Sequence, residues 1–296
     1  MRVGDLPAPR PDELLVVVGP TASGKSALAL ELAARFRGEI IGADSVQVYR
    51  RFDKGSGKPS GADLARVRHH LVDVADAKEP LDAAAFVALA DHAIAEVRAR
   101  GGVPIVCGGS FLWVRVLLFG LAEGMPRADD VRERHTREAE ASGREALHAR
   151  LREVDPAAAA RLHPNDLLRV SRALEVFELT GRPMSAAQAA HGFASERYPH
   201  RLLALSRSPE ELVRRISART RQFLADGLVD EVRSLVADGY GDTRAMASVG
   251  YRQAKQHVDG ELSAEALADE IDRATRVFVR RQRTWLRDRP IVSIEP

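Results

Sequence analysis

Two glycines, a lysine and a serine stand at Gly19-x-x-x-x-Gly24-Lys25-Ser26, directly after the apolar run Leu14 to Val18. That spacing is a phosphate cradle. The glycines let backbone N–H groups turn inward, Lys25 adds a mobile charge, and the Ser26 hydroxyl can ligand a magnesium ion at the start of the following helix. Pro20, Thr21, Ala22 and Ser23 complete the loop, which should bind a polyphosphate. The motif leaves open whether a phosphoryl group or something attached to it is transferred. Asp44 follows the next strand and could take a proton from an acceptor, its plainer role being that of a turn or cap residue. Asp73 ends a third strand and could hold magnesium through water, or be a surface acid. Arg215 and Arg219 lie one helical turn apart, so both guanidinium groups share a face, either toward the cradle or toward solvent. Arg273, Arg276, Arg280 and Arg287 recur at spacings of three, four and seven. With Gln282 and Trp285 beside them they suit nucleic acid; the competing reading is a solvated helix with Trp285 in the core.

These residues need a scaffold, and the pattern supplies one. Apolar runs at Leu14–Val18, Glu39–Ala43, His70–Val74 and Val103–Cys107 alternate with helical patterns at Lys25–Phe36 and Asp82–Arg100. That order implies a parallel α/β sheet of the P-loop NTPase-like kind, flanked by helices, with its site at the carboxyl ends of the strands. From Met125 to about Ala194 the pattern becomes helices alone, an all-helical insertion. The expected domains are a core of 1–124 with 195–296 and an insertion of 125–194. A strand Arg201–Leu205, a helix opened by Ser208-Pro209-Glu210-Glu211 and running to Gly227, a helix Ala264–Leu286 and a strand Ile291–Ile294 complete the core.

A chain of 296 residues with 45% hydrophobic content can bury a large core, and its net charge of +2 does not by itself select a partner. Locally, Arg273 to Arg289 is strongly basic, with Asp288 its one acid. Cys107 is the single cysteine, so no intrachain disulfide can form and a reducing, cytoplasmic setting is expected. The opening MRVGDLPAPRPDE lacks the apolar centre of a signal peptide, and no stretch approaches the roughly 20 apolar residues of a membrane span. Adjacent histidines at His69 and His70 point to opposite sides of a strand, which argues against zinc.

The segments GPTASGKS, ADSVQVYRRFDKGSGKPS, HHLVD, HPNDLLRVSRALEVFELTGRP, VGYRQ and RRQRTWLR together resemble the bacterial tRNA dimethylallyltransferases, from about residue 14 to 288. The resemblance implies transfer of the dimethylallyl group of dimethylallyl diphosphate to N6 of the adenosine 3′ of a tRNA anticodon, with magnesium required and diphosphate released. It implies that Gly19 to Ser26 and Arg219 hold the diphosphate, with magnesium on Ser26, and that Asp44 is the catalytic base. It further implies tRNA contacts at Asp44, Ser45, Val46 and Gln47 and at Ser110, which stands where the family usually has Thr. Others fall on Arg132; on Leu168, Arg169, Val170, Ser171 and Arg172; on Ala247, Ser248, Val249, Gly250 and Tyr251; and on Arg280, Arg281, Gln282, Arg283, Thr284, Trp285 and Arg287. The partners are then a tRNA anticodon stem-loop and the prenyl donor, with no membrane and a monomer as the default. The rival readings are an isopentenyltransferase acting on free AMP or ATP, a P-loop small-molecule kinase, and a noncatalytic RNA-binding module. The first needs neither the insertion nor the basic last helix.

Overall fold

A computed structural model describes residues 1–287 and 289–295. The chain divides into two compact units, one made of Met1–Leu118 and the chain from Arg197 onward, the other of Phe119–Glu196. Where the chain leaves and re-enters the first unit, the Arg197 amide donates to the Leu118 carbonyl at 2.7 Å. Among the described residues no helix is long and apolar enough to cross a membrane.

The first unit carries six parallel strands in the order β3-β2-β4-β1-β5-β6. They are β1 (Leu14–Val18), β2 (Gly38–Gly42), β3 (His69–His70), β4 (Val103–Gly108), β5 (His200–Leu205) and β6 (Ile291–Ile294). All five residues of the central β1 are buried, which is why it reads as an unbroken apolar run rather than an alternating one. Around the sheet lie α1 (Lys25–Phe36), α2 (Gly61–Arg66), α3 (Ala83–Ala99) and α4 (Phe111–Phe119). Leu28, Ala29, Leu32 and Ala33 form the buried face of α1, at helical spacing. Asp82 caps α3 by accepting from the Ala85 amide at 2.9 Å.

The helical unit consists of α5 (Asp129–Ser142), α6 (Arg144–Val154), α7 (Pro156–Ala159), α8 (Leu167–Thr180) and α9 (Met184–His191). Its own core contains Leu147, Leu151, Val170, Leu174 and Val176. Buried Asp155 caps α7 through the Ala158 amide at 2.9 Å and accepts the Ser185 amide at 2.9 Å. The first unit ends with α10 (Pro209–Ala225), α11 (Leu228–Ala237), α12 (Tyr251–Val258) and α13 (Ala264–Leu286). Ser208 caps α10 through the Glu211 amide at 3.1 Å, with Pro209 opening the first turn.

One strand is shorter than its sequence predicts. The expected His70–Val74 strand ends at His70 because Leu71 and Asp73 take φ of 60° and 57°, which no extended strand accommodates. The helical pattern is expected to begin at Met125, whereas the second unit begins at Phe119, inside α4.

Candidate active site

The cradle sits where β1 gives way to α1. Gly24 precedes the helix at φ 98°, a left-handed conformation that favours glycine and turns the α1 amides toward the loop. Two arginines from other elements hold the loop from outside: Arg207 Nε donates to the Ser23 carbonyl at 3.2 Å, and Arg215 Nε donates to the Ala22 carbonyl at 2.7 Å. With those carbonyls held outward, and the Thr21 and Ser23 amides bonded to Gln282 and the Pro20 carbonyl, the amides of Gly24, Lys25 and Ser26 at the start of α1 are left to face an anion. The buried Ser23 hydroxyl has no hydrogen-bond partner among the described residues.

Lys25 and Arg219 supply the charge. Burial lowers the Lys25 ammonium below the usual lysine range; Cys107 and Asp44 partly offset this, and Arg219 adds to it. Burial likewise lowers the Arg219 guanidinium, with Asp44 restoring part of the loss. Among the described residues Lys25 donates to the Pro20 carbonyl, at 3.5 Å, and Arg219 to the Ser56 carbonyl, at 3.3 Å, with its guanidinium 4.7 Å from the centre of the Phe223 ring. Two desolvated cations resting on carbonyls form a site whose electrostatics an entering anion would restore. They line a recess of about 350 Å³ with Ala22, Gly24, Ser26 and Arg215. So the sequence's Arg215–Arg219 face does turn toward the cradle.

Arg219 also lines a second, larger cavity of about 550 Å³. Thr21 of the cradle, Asp44, Ser45, Val46 and Ser110 stand along one side of it. Phe223, Val277 and Phe278 give it an apolar wall, and Arg252, Arg273 and Arg281 add positive charge to its lining. Asp44 is fixed by its own turn: Oδ1 accepts from the Val46 amide at 3.0 Å and the Gln47 amide at 3.3 Å. Its second oxygen makes no hydrogen bond among the described residues, so the capping role and a proton-accepting role coexist on one side chain. The Ser45 amide donates to Ser110 Oγ at 2.9 Å, tying this turn to the loop after β4. Ala247, Ser248, Val249 and Gly250 line the same cavity.

Several expected RNA contacts lie elsewhere. Tyr251 is fully buried; its hydroxyl donates to Glu231 at 2.7 Å and accepts the Gly55 amide at 3.1 Å, so it holds the turn after Phe52 rather than facing a ligand. Gln47 gives its side-chain amide to the Ser56 and Gly57 carbonyls at 3.1 and 2.8 Å. Gln282, 3% exposed, accepts the Thr21 amide at 2.8 Å and donates to the Gly109 carbonyl at 3.0 Å. Trp285 stacks on Phe111, centroids 4.4 Å apart and planes 7° from parallel, under the Arg289 guanidinium. In the helical unit Val170 and Ser171 are buried, while Arg132 and Arg172 both bond to buried Glu175, at 2.8 and 2.5 Å. Leu168 and Arg169 are exposed, as are Arg280, Arg281, Arg283, Thr284 and Arg287. Asp288 lies outside the described residues. Asp73, the other candidate magnesium holder, is ion-paired with Lys58.

Sequence reasoning missed Arg207, Phe223 and Phe278. Arg207 follows β5 at the carboxyl edge of the sheet, a position that marks site residues. Ile216, Arg219 and Phe223 share one helical face, as do Ile271, Phe278 and Gln282, a periodicity that reads equally well as core.

The donor set suits magnesium. No group of three or more His, Cys, Asp or Glu able to hold a metal occurs among the described residues, but Ser26 stands exposed at the first turn of α1 beside Lys25. One hydroxyl, completed by phosphate oxygens and water, is how magnesium is commonly held. Burial pushes the Cys107 thiol up to about 11, which disfavours the nucleophilic thiolate.

A parallel sheet ending in a P-loop, beside an apolar-walled cavity lined by a carboxylate, is an arrangement suited to a polyphosphate joined to a non-phosphate group. Comparison with known proteins narrows this. The model of the IPP transferase family matches residues 47–289. A tRNA dimethylallyltransferase of Sorangium cellulosum is 58% identical over 97% of this chain and 91% of its own length. One from Geobacter metallireducens is 49% identical over 95% of this chain and 92% of its own. Among solved structures, a full-length tRNA isopentenylpyrophosphate transferase of Bacillus halodurans matches with a TM-score of 0.70 at 33% identity, over 96% of this chain and 90% of that one. The chain belongs to the IPP transferase family.

Proposed function

We infer that this chain is a tRNA-modifying prenyltransferase that moves the dimethylallyl group of dimethylallyl diphosphate onto N6 of the adenosine 3′ of a tRNA anticodon. Relatives named tRNA dimethylallyltransferase support the tRNA substrate and the prenyl cargo. The carrying observation is the pair of desolvated cations, Lys25 and Arg219, at a phosphate-sized recess beside an apolar-walled cavity lined by Asp44. The diphosphate then occupies the Gly19–Ser26 cradle as the leaving group, and the prenyl chain lies against Phe223 and Phe278.

The adenine nitrogen attacks C1 of the donor as the C1–O bond breaks, and the bridging oxygen leaves with the electron pair. Negative charge builds on the diphosphate, where Lys25, Arg219 and the loop amides stabilise it most in the transition state. The exocyclic amine is a poor nucleophile because its lone pair is delocalised into the ring. The free oxygen of Asp44 takes its proton as the C–N bond forms, which typically accelerates such a step by about 10²- to 10⁴-fold. The stacked anticodon base must be drawn into the cavity, as other base-modifying enzymes do. Magnesium, held by Ser26 and the diphosphate, would neutralise further charge on the leaving group. The enzyme acts as a monomer in the cytoplasm, where tRNA is available.

Purified protein, magnesium and unmodified tRNA with adenosine 3′ of the anticodon, given either dimethylallyl diphosphate or ATP, should yield the prenylated base by mass spectrometry with the prenyl donor only. Phosphate transfer from ATP, or prenylation of AMP but not tRNA, would overturn the assignment.

A further inference from the structure

Gln282 has its two polar ends on two different working loops. Its Oε1 accepts the Thr21 N–H of the phosphate cradle at 2.8 Å, and its Nε2 donates to the Gly109 carbonyl at 3.0 Å. The next residue, Ser110, accepts the Ser45 amide beside Asp44 at 2.9 Å. Donor side and acceptor side are therefore spanned by one buried primary amide. The chemistry at this place is selective, because a backbone N–H needs an acceptor and a backbone carbonyl needs a donor. Among uncharged side chains of this length glutamine supplies both from one planar group. There is no slack on the second loop: a Cβ on Gly109 would stand 2.8 Å from Gln282 Nε2. One helical turn further along α13, Trp285 stacks on Phe111 and fixes the same loop again.

We propose that Gln282 is a positioning residue for the transfer, setting the distance between the diphosphate cradle and the Asp44–Ser110 acceptor wall. The proposal rests on the prenyl-transfer reading and assigns Gln282 no contact with RNA, against the expectation from the basic run around it. In a displacement the nucleophile must lie close to C1 and in line with the leaving oxygen, and a misplacement of about 1 Å can cost about 100-fold in rate. Removing the strut should leave both substrates bound and lower the chemical step.

Gln282→Met keeps the length and apolar stem but neither hydrogen bond. In the full-length protein its kcat should fall about 100-fold, with KM for tRNA and for dimethylallyl diphosphate changed by no more than about threefold. Gln282→Glu adds a readout that loss of packing does not move. As a carboxylate it can still accept from Thr21 but cannot donate to Gly109; once protonated it can do both. The ratio of its kcat to that of the wild type should therefore rise as pH falls, while the corresponding ratio for Gln282→Met stays level. Thermal melting and inorganic pyrophosphate binding verify that each variant is folded with an intact cradle, and if Gln282→Met does not fold, the pH ratio of Gln282→Glu decides. An unchanged kcat, a loss confined to KM for tRNA, or a pH-independent Gln282→Glu ratio overturns the proposal. If the wild type itself does not prenylate tRNA, the functional reading falls instead, so the two failures are distinguishable.

Discussion

Asp44 offers two oxygens, one for its turn and one for the proposed base role, and substitutions can separate the two. Oδ1 holds the turn through Val46 and Gln47, while the other oxygen is free to accept a proton. Asp44→Asn preserves the turn acceptor and removes the base, so kcat should drop by about 10²- to 10⁴-fold with tRNA affinity nearly unchanged. Single-turnover prenylation combined with filter binding measures both; normal turnover in Asp44→Asn would take the base role away from this residue. Arg219→Ala should cost about 10²-fold in kcat and weaken inhibition by inorganic pyrophosphate, because in the proposed reaction the same guanidinium would face the diphosphate and the growing charge on it. The place of these residues around the candidate site is legible in the sequence: Lys25 and Ser26 by motif spacing, Asp44 by its position after a strand, Arg219 by its helical partner and by resemblance. Gln282 and Tyr251 are not, because a polar side chain in a basic or Gly-rich stretch reads the same whether it bonds to backbone or to a ligand.

At the level of elements, α13 joins two roles along one axis. Its inner face runs through Ile271, Thr275, Val279 and Gln282, all buried, and the outer one exposes Arg280, Arg283 and Arg287. Buried Asp272, accepting from Thr220 at 2.5 Å and also from Ser217, locks this helix to α10, which carries Arg219. The Arg row and the cradle are thus attached to one rigid pair. Removing charge from the outer face should weaken RNA binding without touching chemistry. Arg280→Ala with Arg287→Ala should flatten the slope of log K against log salt by roughly 1.5, at about 0.7 to 0.9 for each phosphate that is no longer neutralised. Titrations of an anticodon stem-loop at several salt concentrations check this; an unchanged slope means the row is solvated surface. The helix itself is readable, since its apolar period is long; Ser263 caps it, accepting the Ala266 amide at 3.3 Å. The third strand reads too long because nothing in HHLVD announces that Leu71 and Asp73 adopt positive φ.

For the whole molecule, the change from alternating strands and helices to helices alone announces a separate unit. Its starting point is less legible, because α4 is apolar along nearly its whole length and offers no polar break at Phe119. What holds that unit together is also hidden: the resemblance implies RNA contacts at Arg132 and Arg172, and nothing in the sequence announces that both converge on Glu175 in its interior. Burial pushes the Glu175 carboxyl up, but bonds from Arg132, the Ala128 amide and Arg172 outweigh it and hold its pKa below the ordinary range. A carboxylate depressed in this way contributes stability that is fully present above its unfolded pKa, about 4.3, and is lost as pH falls through the lower folded value. Glu175→Gln should therefore destabilise the helical unit at pH 7 by about 2 kcal/mol, the usual loss for charge-assisted hydrogen bonds to a buried group. The gap to the wild type should close in acid, because the wild-type side chain then becomes neutral as well. Hydrogen exchange of α5 and α8 amides in the full chain, compared at neutral pH and below about pH 4, reads the opening free energy of this unit directly. A Glu175→Gln deficit that is the same at both pH values would mean that shape, and not charge, is what Glu175 contributes.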